Sequence, residues 1–498
     1  MGVHSLFEQH FCHFIYIDMG SIMMNVTMRK KPFALEKFKY FWQCIIDTLK
    51  GIEIDYTRES VNRAIILLSI PMVLEMAMES VFVLVDVFWV ARIGTNAVAA
   101  VGLTDAAISL IYALAHGMAM AVTAVVARRI GEKDKAGAGR SAAQAIWLGL
   151  FVGIPGVLFG IFLPKTVLGW MGASPEVIEI GSGFTTWMLA GNAVIILLFL
   201  NNGIFRGAGD AAIAMRALWL ANGINIVLDP CLIFGWGSFP ELGVTGAAVA
   251  TTLGRGIGVL YQFSRFWRGN GRIHIHVKDW IPRFDIIWNL IRVSAGGVMQ
   301  LLIATSSWIF LMRLVAIFGS FALAGYTISI RIIVFTILPA WGIANAASTL
   351  VGQNLGAKTP DRAELAVWRT GLFNCIFLSL VAVVFIIFPE PIVRFFTNDA
   401  SVISYAIDTM RILSYGYPAF AYGMVLTQAF NGAGDTFTPT VMNLFCYWLF
   451  QLPLAYALSM LLGFDAQGVF ISIAVADSAL AVVSVIWFKQ GKWKLKEV

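Results

Sequence analysis

From residue 64 onward the chain alternates between long apolar segments and short polar ones. Each apolar segment reaches the roughly 20 residues that a helix needs to cross the hydrocarbon core of a bilayer. Hydrophobic residues make up 59% of the 498 residues and charged residues only 13%, whereas soluble domains carry about 25% charged residues. The pattern therefore predicts an all-α polytopic membrane protein with twelve transmembrane helices. The predicted spans are 64–91, 97–125, 141–163, 183–204, 212–236, 243–266, 286–313, 320–349, 366–388, 402–430, 438–462 and 467–488.

The first span carries acidic residues that a membrane helix does not normally tolerate. Glu75, Glu79 and Asp86 follow one another at steps of four and seven residues, which places them within an arc of about 40° at roughly 100° per residue. A carboxylate at the centre of a membrane helix costs about 2.5–3.5 kcal/mol, so we expect the stripe to face a polar cavity. Pro71 removes one backbone donor from the same helix and predicts a hinge there.

A shift of 225 residues aligns the second half of the chain with the first. Lys133 then falls on Lys358, and FRGAGD at 205–210 falls on FNGAGD at 430–435. The chain is therefore predicted to form two pseudo-symmetric lobes of six helices each, related as parallel repeats. The predicted domains are an N-terminal extension at 1–57, lobes at 58–266 and 286–489, a linker at 267–285 and a basic tail at 490–498.

Charged residues outside the first span lie mainly in the polar loops, where they indicate orientation. The loops after the second and sixth spans and the C-terminal tail are rich in lysine and arginine, so the positive-inside rule predicts that both termini are cytoplasmic. This distribution indicates the topology of a membrane protein, predicted here to lie in the plasma membrane, and does not indicate nucleic-acid binding. In the N-terminal extension, apolar residues recur at steps of three and four from 35 to 49, which predicts an amphipathic helix on the membrane surface or on the protein's own cytoplasmic face.

The sequence contains no motif for nucleotide-driven transport, and it gives no sign of a metal cofactor. No Walker A sequence occurs, and the five cysteines are scattered without the spacing of a disulfide framework or metal site. We therefore expect no enzyme activity and no cofactor besides a coupling ion.

The fifth and sixth spans add a second group of polar residues. Asn225 and Asp229 are four residues apart and therefore share one helix face, and Thr251 adds a hydroxyl in the next span. Together with Asp86 they offer two carboxylates, an amide oxygen and a hydroxyl, which are suitable ligands for Na⁺. Equally, two carboxylates at low dielectric repel each other, so that one of them binds a proton. The second lobe lacks the first-span acid, because Asp86 falls on Leu311.

Several motifs together resemble a known transporter family. LSIPM, the acid midway along the first span, ARRIG followed by EKD, FRGAGD, NIVLDP and GVTGAAVAT resemble the prokaryotic multidrug and toxic compound extrusion (MATE) transporters. The resemblance implies two six-helix bundles in a V around a central cavity, and cation-driven antiport of amphiphilic, often cationic, compounds. It also implies a first-lobe cation site made of Asp86, Asn225, Asp229 and Thr251. The chain departs from the family in having Phe82 where a tyrosine is common.

These observations predict a monomeric antiporter that exports small amphiphilic molecules through the bilayer in exchange for Na⁺ or H⁺. Glu75, Glu79 and Asp105 are predicted to line the substrate cavity. In the competing interpretation the two glutamates are neutral, buried and hydrogen-bonded to helices 2 or 5, and only Asp86 is functional. Arg255, Arg313 and Arg331 are expected to extend to the membrane surface or to pair with acids such as Asp477, and the alternative for them is a contact with substrate. The alternative functions are a flippase for a lipid-linked or polysaccharide precursor, which favours several buried basic residues, and a membrane sensor without transport.

Overall fold

The computed structural model describes residues 45–48, 51, 54–268 and 271–497. The chain divides into two compact units, Met1–Ile46 and Asp47–Val498, and the first falls almost entirely outside the described residues. The amphipathic helix predicted for the N-terminal extension therefore also lies largely outside them.

Twelve long helices form the membrane domain within the described residues. They are α1 Val61–Ala91, α2 Thr95–Gly131, α3 Lys135–Phe162, α4 Pro175–Ala190 with Asn192–Ala208, α5 Ala211–Phe234, α6 Val244–Arg268, α7 Phe284–Ala316, α8 Ser320–Gly356, α9 Pro360–Ile387, α10 Ala400–Gly432, α11 Phe437–Leu461 and α12 Asp465–Lys489. Nine of them are long and apolar enough to cross a membrane, and the two halves of α4, bent by 41°, make a tenth. The more polar α6 and α10 complete the set, and the described residues form no strand. The predicted all-α fold is confirmed.

Several helices continue beyond the apolar spans that the sequence predicts. α2 runs to Gly131 and α8 to Gly356, whereas the predicted spans end at 125 and 349. Hydrogen bonds within a helix do not depend on hydropathy, so the helix continues into the polar loop until the backbone changes direction. In both loops that change includes a lysine with positive φ, Lys133 and Lys358.

The internal repeat is present in the backbone as well as in the sequence. α2 and α8 begin and end 225 residues apart, and so do α3 and α9. Lys133 (φ 62°) and Lys358 (φ 59°) adopt the same left-handed conformation, as do Gly209 (φ 85°) and Gly434 (φ 83°). Because non-glycine residues seldom adopt positive φ, this recurrence shows that lobe 1 (α1–α6) and lobe 2 (α7–α12) follow the same path.

The two lobes contact each other through helix pairs related by the repeat. Gly342 of α8 packs against the backbone of α1 at Met72, and Gly117 of α2 packs against the backbone of α7 at Val298. A Cβ atom added to Gly342 would lie 2.7 Å from the carbonyl carbon of Met72, and one added to Gly117 would lie 2.5 Å from the amide nitrogen of Val298. Glycine therefore allows both helix pairs to approach this closely.

Further contacts join the lobes where α2 and α8 end, beside the loops rich in lysine and arginine; this side is called the basic end below. Gly131 of α2 packs against the backbone of Gln353, and Gly356 of α8 packs against that of Arg128. Gln353 also donates a hydrogen bond from Nε2 to the carbonyl oxygen of Gly207 (2.9 Å). The lobes thus meet at the basic end, which agrees with the V that the family resemblance implies.

Two segments outside the twelve helices also tie the lobes together at the basic end. Ahead of α1, the Tyr56 hydroxyl donates to the carbonyl oxygen of Gly209 in lobe 1 (3.2 Å), and Arg362 of lobe 2 donates to the carbonyl oxygen of Tyr56 (3.0 Å). After α12, the carbonyl oxygen of Lys496 accepts a hydrogen bond from Arg128 of lobe 1. Both segments therefore stabilise the arrangement in which the lobes are in contact at the basic end, which is called the closed arrangement below.

Candidate functional site

Glu75 of the acidic stripe is buried and held by α4. It is 1% exposed, and the Nδ2 atom of Asn202 donates a hydrogen bond to its Oε1 atom (3.0 Å). The Nη1 atom of Arg206 lies 3.8 Å from the same oxygen. A carboxylate left unpaired in an apolar interior is strongly destabilising. Two side chains of lobe 1 thus compensate the Oε1 atom of Glu75, whereas its Oε2 atom has no hydrogen-bond partner among the described residues.

Glu79, one turn further along α1, is also paired. The Nη2 atom of Arg255 lies 3.6 Å from its Oε1 atom, and the Nδ2 atom of Asn222 donates to its Oε2 atom (3.0 Å). Arg255 also donates to the Tyr112 hydroxyl (2.6 Å), and its guanidinium carbon lies 5.5 Å from the centroid of the Phe82 ring. Such a contact with an aromatic face contributes about 0.5–2 kcal/mol. Phe82 has no hydroxyl group, unlike the tyrosine that is common at this position, but its ring packs against the guanidinium group of Arg255.

Asn225, Asp229 and Thr251 form a buried cluster between α5 and α6. The Nδ2 atom of Asn225 donates to Oδ1 of Asp229 (3.1 Å) and to Oγ1 of Thr251 (3.0 Å). The first bond follows from the spacing of four residues on one helix. The second requires close packing of α6 on α5, which Gly254 permits because it lies directly against the carbonyl oxygen of Ala221.

Two oxygen atoms of this cluster, Oδ1 of Asn225 and Oδ2 of Asp229, have no hydrogen-bond partner among the described residues. Buried polar atoms are normally satisfied, and amide and carboxylate oxygens are preferred ligands of hard cations. In the described part of the chain, no three His, Cys, Asp or Glu side chains are grouped as a metal site. A Na⁺ ion bound here would therefore use amide and hydroxyl oxygens as well as Asp229.

Asp86 lies beside this cluster without being hydrogen-bonded to it. Its side chain is partly exposed, and it forms no ion pair within the described part of the chain. Its carboxylate is close enough to interact electrostatically with Asp229, with Arg255 and with Asp105 of α2. Asp105 is exposed. The predicted cation residues thus comprise a hydrogen-bonded trio and a neighbouring aspartate, with Asp105 in the same region.

Sequence reasoning does not identify the two arginines that neutralise the glutamates. Arg255 does pair with an acid, but the acid is Glu79 and not Asp477. The spacing could have indicated that Arg255 lies near the site, because it follows Thr251 by four residues and so shares its helix face. Arg206 lies within the FRGAGD motif, where the sequence offers no indication that its partner is in α1.

A cavity lies between the two lobes and receives side chains from both. Its lining includes Met76, His116, Met120, Arg206, Trp341 and Gln428. His116 packs on the Phe199 ring, with the ring centroids 4.4 Å apart, and its Nδ1 atom lies 3.0 Å from the carbonyl oxygen of Tyr112. These contacts are those of a histidine that packs between helices.

The family model of MatE matches residues 71–231 and 297–457, one stretch in each lobe and more than half of the chain. The chain belongs to the MatE family. A Thermotoga maritima protein described as "Probable multidrug resistance protein NorM" is 25% identical to this family member over 447 residues, which cover 88% of this chain and 94% of that protein. The structure titled "Crystal structure of MATE in the straight conformation" matches with a TM-score of 0.83 and 28% identity, covering 89% of this chain and 99% of that chain. The one titled "Crystal structure of MATE in the bent conformation" matches with a TM-score of 0.82 and 27% identity, covering 90% and 99%.

Membership of the MatE family settles the class of protein. This MATE protein is a multi-pass membrane transporter and not an enzyme. The match to solved MATE structures along nearly their whole length confirms the twelve helices in two lobes. The resemblance that the sequence motifs indicate is therefore confirmed.

Proposed function

We propose that this MATE family member exports amphiphilic, mainly cationic, organic compounds in exchange for Na⁺ or H⁺. The main support is the trio Asn225, Asp229 and Thr251, which has two buried, unsatisfied oxygens and lies beside Asp86. Two neighbouring carboxylates in an apolar bundle repel each other, and one bound cation removes this repulsion. The description of the T. maritima relative as a probable multidrug resistance protein supports drug export. Because one chain holds the whole site, we propose a monomer with no cofactor besides the coupling ion.

The ion pairs divide the acids of lobe 1 into two groups with different roles. Glu75 and Glu79 are each held by an arginine and an asparagine, which favours a packing role for both. Their partners lie on α4, α5 and α6 and not on α2, and Glu79 is only partly buried. Asp86 and Asp105 form no such pair among the described residues. We therefore assign cation coupling to Asp86 and a contribution to the substrate cavity to the exposed Asp105.

Exchange follows if the coupling cation and a cationic substrate compete for the charge of Asp86. Each can shift the transporter only by binding one conformation more tightly than the other. The lobes meet at the basic end, which the positive-inside rule assigns to the cytoplasm together with both termini. This conformation is therefore the one in which an external cation reaches Asp86 and displaces the substrate outward across the plasma membrane.

Pro71 is proposed as the hinge of α1. It lies 15 residues before Asp86, about 22 Å at roughly 1.5 Å per residue, and directly precedes Met72, where α8 touches α1. Bending at this point changes the contact between the lobes, and the straight and bent MATE structures support such a movement in the family. Pro71→Ala should slow transport without removing cation binding; wild-type turnover in this variant would refute the hinge.

Transport in proteoliposomes with separately imposed sodium and pH gradients tests the proposed function. The wild-type protein should move a cationic dye under at least one gradient, and Asp86→Asn should lose this activity while reconstituting normally. Glu390→Gln is the matched control, because Glu390 is an exposed carboxylate whose one ion pair among the described residues is with Arg394 at the surface (2.7 Å). Dye transport by Asp86→Asn at the wild-type rate under both gradients would contradict the proposal.

The contacts do not favour the flippase alternative. A cavity for an anionic lipid-linked precursor needs basic side chains that remain available to the substrate. Arg206 and Arg255 are buried, but each is paired with a glutamate. We therefore expect no movement of a lipid-linked saccharide in vesicles that transport the dye.

A further inference from the structure

In lobe 2, the partly buried Asp477 of α12 occupies the position that Arg255 of α6 has in lobe 1. Gly246 near the start of α6 packs against the backbone of α5 at Leu232, and Gly468 near the start of α12 packs against the backbone of α11 at Leu458. These two glycines are 222 residues apart, and the same shift carries Arg255 onto Asp477. The sixth helix of each lobe therefore presents a charge at the same depth, but the sign of that charge is reversed.

The charge of Asp477 has no partner of opposite sign among the described residues. The titratable groups that face it are Tyr326 from α8, Tyr417 from α10, and Cys446 and Tyr447 from α11. All four are neutral at neutral pH, and the neighbouring side chains of α7, Ser307 and Trp308, do not titrate. The Tyr447 hydroxyl donates a hydrogen bond to Oδ1 of Asp477 (3.4 Å). In contrast to Glu75 and Glu79, this carboxyl is therefore not neutralised by an arginine.

Two further phenols near Asp477 have unused hydrogen-bonding capacity. Tyr326 is 0% exposed and Tyr417 is 3% exposed, and their hydroxyls make only weak contacts, with Trp308 and Thr336 respectively, that fall short of full hydrogen bonds. Both interact electrostatically with Asp477. A weakly held hydroxyl dipole can reorient when a nearby carboxyl gains or loses its proton. The surroundings thus suit both the neutral acid and the carboxylate.

The backbone of α11 is irregular at the same place. Residues Leu444–Gln451 form a π-helical stretch, a feature that often marks functional sites. Ser307 of α7 donates to the carbonyl oxygen of Tyr447 and to Oε1 of Gln451, both at 3.1 Å. These bonds hold the hydroxyl-bearing turn against α7, so that Tyr447 is positioned towards Asp477.

We propose that Asp477 is a second proton-binding group, in lobe 2, which takes up and releases one proton in each transport cycle. The proton binds to a carboxylate oxygen to give the neutral acid, and on release it passes to water while the carboxylate keeps the hydrogen bond from the Tyr447 hydroxyl. A proton needs one oxygen, whereas a metal ion needs several ligands, and one hydroxyl is bonded to this carboxyl. This role assumes the proposed cation-coupled export, but the protonation itself can be tested separately.

Infrared difference spectroscopy of the full-length protein in lipid vesicles tests the protonation directly. A pH jump should reveal the C=O stretch of a protonated carboxyl that disappears in Asp477→Asn and persists in Asp86→Asn. Tyr447→Phe should move the frequency and the titration midpoint of this band, because it removes the hydrogen bond to Oδ1. Asp408→Asn, which removes an acid of α10 hydrogen-bonded by Gln467 (2.8 Å), is the matched control and should leave the band unchanged.

Several outcomes of this experiment would overturn the proposal. A band unaffected by Asp477→Asn, or no band at all, would mean that Asp477 binds no exchangeable proton. Loss of the band on adding Na⁺ at constant pH would mean that the site binds an alkali-metal ion instead. Because these results do not depend on dye transport, they separate this inference from the proposal for Asp86.

The proton-to-substrate ratio tests whether the proton at Asp477 is coupled to transport. With the membrane potential held at zero, each coupled proton multiplies the attainable substrate gradient about tenfold per unit of pH gradient. Asp477→Asn should therefore reach a gradient about tenfold smaller than the wild type under a gradient of one pH unit. If Asp477 were only structural, the variant would reach the wild-type gradient more slowly, and that result would refute the coupling role.

Discussion

Gly342→Ala is expected to weaken the closure of the lobes at the basic end. In the closed structure the added Cβ atom would lie 2.7 Å from the carbonyl carbon and oxygen of Met72 and from the amide nitrogen of Val73. This is about 1 Å less than the roughly 3.5–4.0 Å that non-bonded atoms prefer. All three are backbone atoms of α1, so a rotamer change cannot relieve the clash. The substitution must therefore push α8 away from α1.

The size of the effect follows from the cost of overpacking. Inserting a methyl group into a close-packed contact typically costs about 1–3 kcal/mol, and this cost applies only when the lobes are closed. Alanine also favours a helix over glycine by about 1 kcal/mol, but α8 is expected to stay helical in both conformations, so this gain cancels. At about 1.36 kcal/mol per factor of ten, the ratio of closed to open molecules should fall roughly 5- to 150-fold.

Distance measurements between spin labels at the basic end can detect this change. Ala136 in lobe 1 and Leu365 in lobe 2 are both exposed and suit labelling. Gly342→Ala should add a longer distance to the distribution, and Gly117→Ala should act in the same way. The control is Gly102→Ala in α2, where an added Cβ would meet nothing within 4 Å. If Gly342→Ala and Gly102→Ala gave the same distribution, close packing at Gly342 would not control closure.

Three further predictions concern the paired charges and the segment ahead of α1. Arg255→Gln leaves Glu79 without its ion pair and should lower the free energy of unfolding by about 3–5 kcal/mol, while adding Glu79→Gln should restore much of it; unchanged thermal unfolding of the single variant would contradict the pairing. Arg362→Ala removes a donor to the Tyr56 carbonyl oxygen and should raise the open population in the spin-label measurement, and an unaltered distribution would argue against this role. Burial raises the pKa of Tyr56 from 10.0 to about 12, so the stability that the protonated phenol provides is complete below about pH 10 and is lost as the pH rises through 12. The difference in thermal stability between the wild type and Tyr56→Phe should therefore shrink over this range, and a constant difference would refute the assignment.

The helices and the repeat could be predicted because both are visible in the order of residues along the chain. The predicted first span ends at 91, where α1 ends, and the predicted last span, 467–488, lies inside α12. A run of apolar residues defines a membrane helix by itself, since the bilayer requires every backbone group to be bonded within the segment. The repeat is equally accessible, because a shared motif and a constant offset are properties of the sequence.

The candidate site could be predicted only in part. Asn225 and Asp229 share a face through their spacing alone, so their hydrogen bond is a local consequence of the helix. Thr251 is on another helix, so no spacing places it beside them, and the sequence groups it with them only by its chemistry and by the family resemblance. The stripe of acids on α1 was also visible, but the sequence could not tell which acids are paired and which remain available.

Tertiary structure decided the partners of those acids. Glu75 and Glu79 meet Arg206 and Arg255 because α4 and α6 pack against α1 at a particular depth and rotation. Likewise, the phenols around Asp477 come from three different helices. Helical periodicity defines which residues share a face, but it contains no information on which helix that face will meet or at what height. The identity of the facing helix and its height are set only when the helices pack, and they determine which carboxyls meet an arginine and which do not.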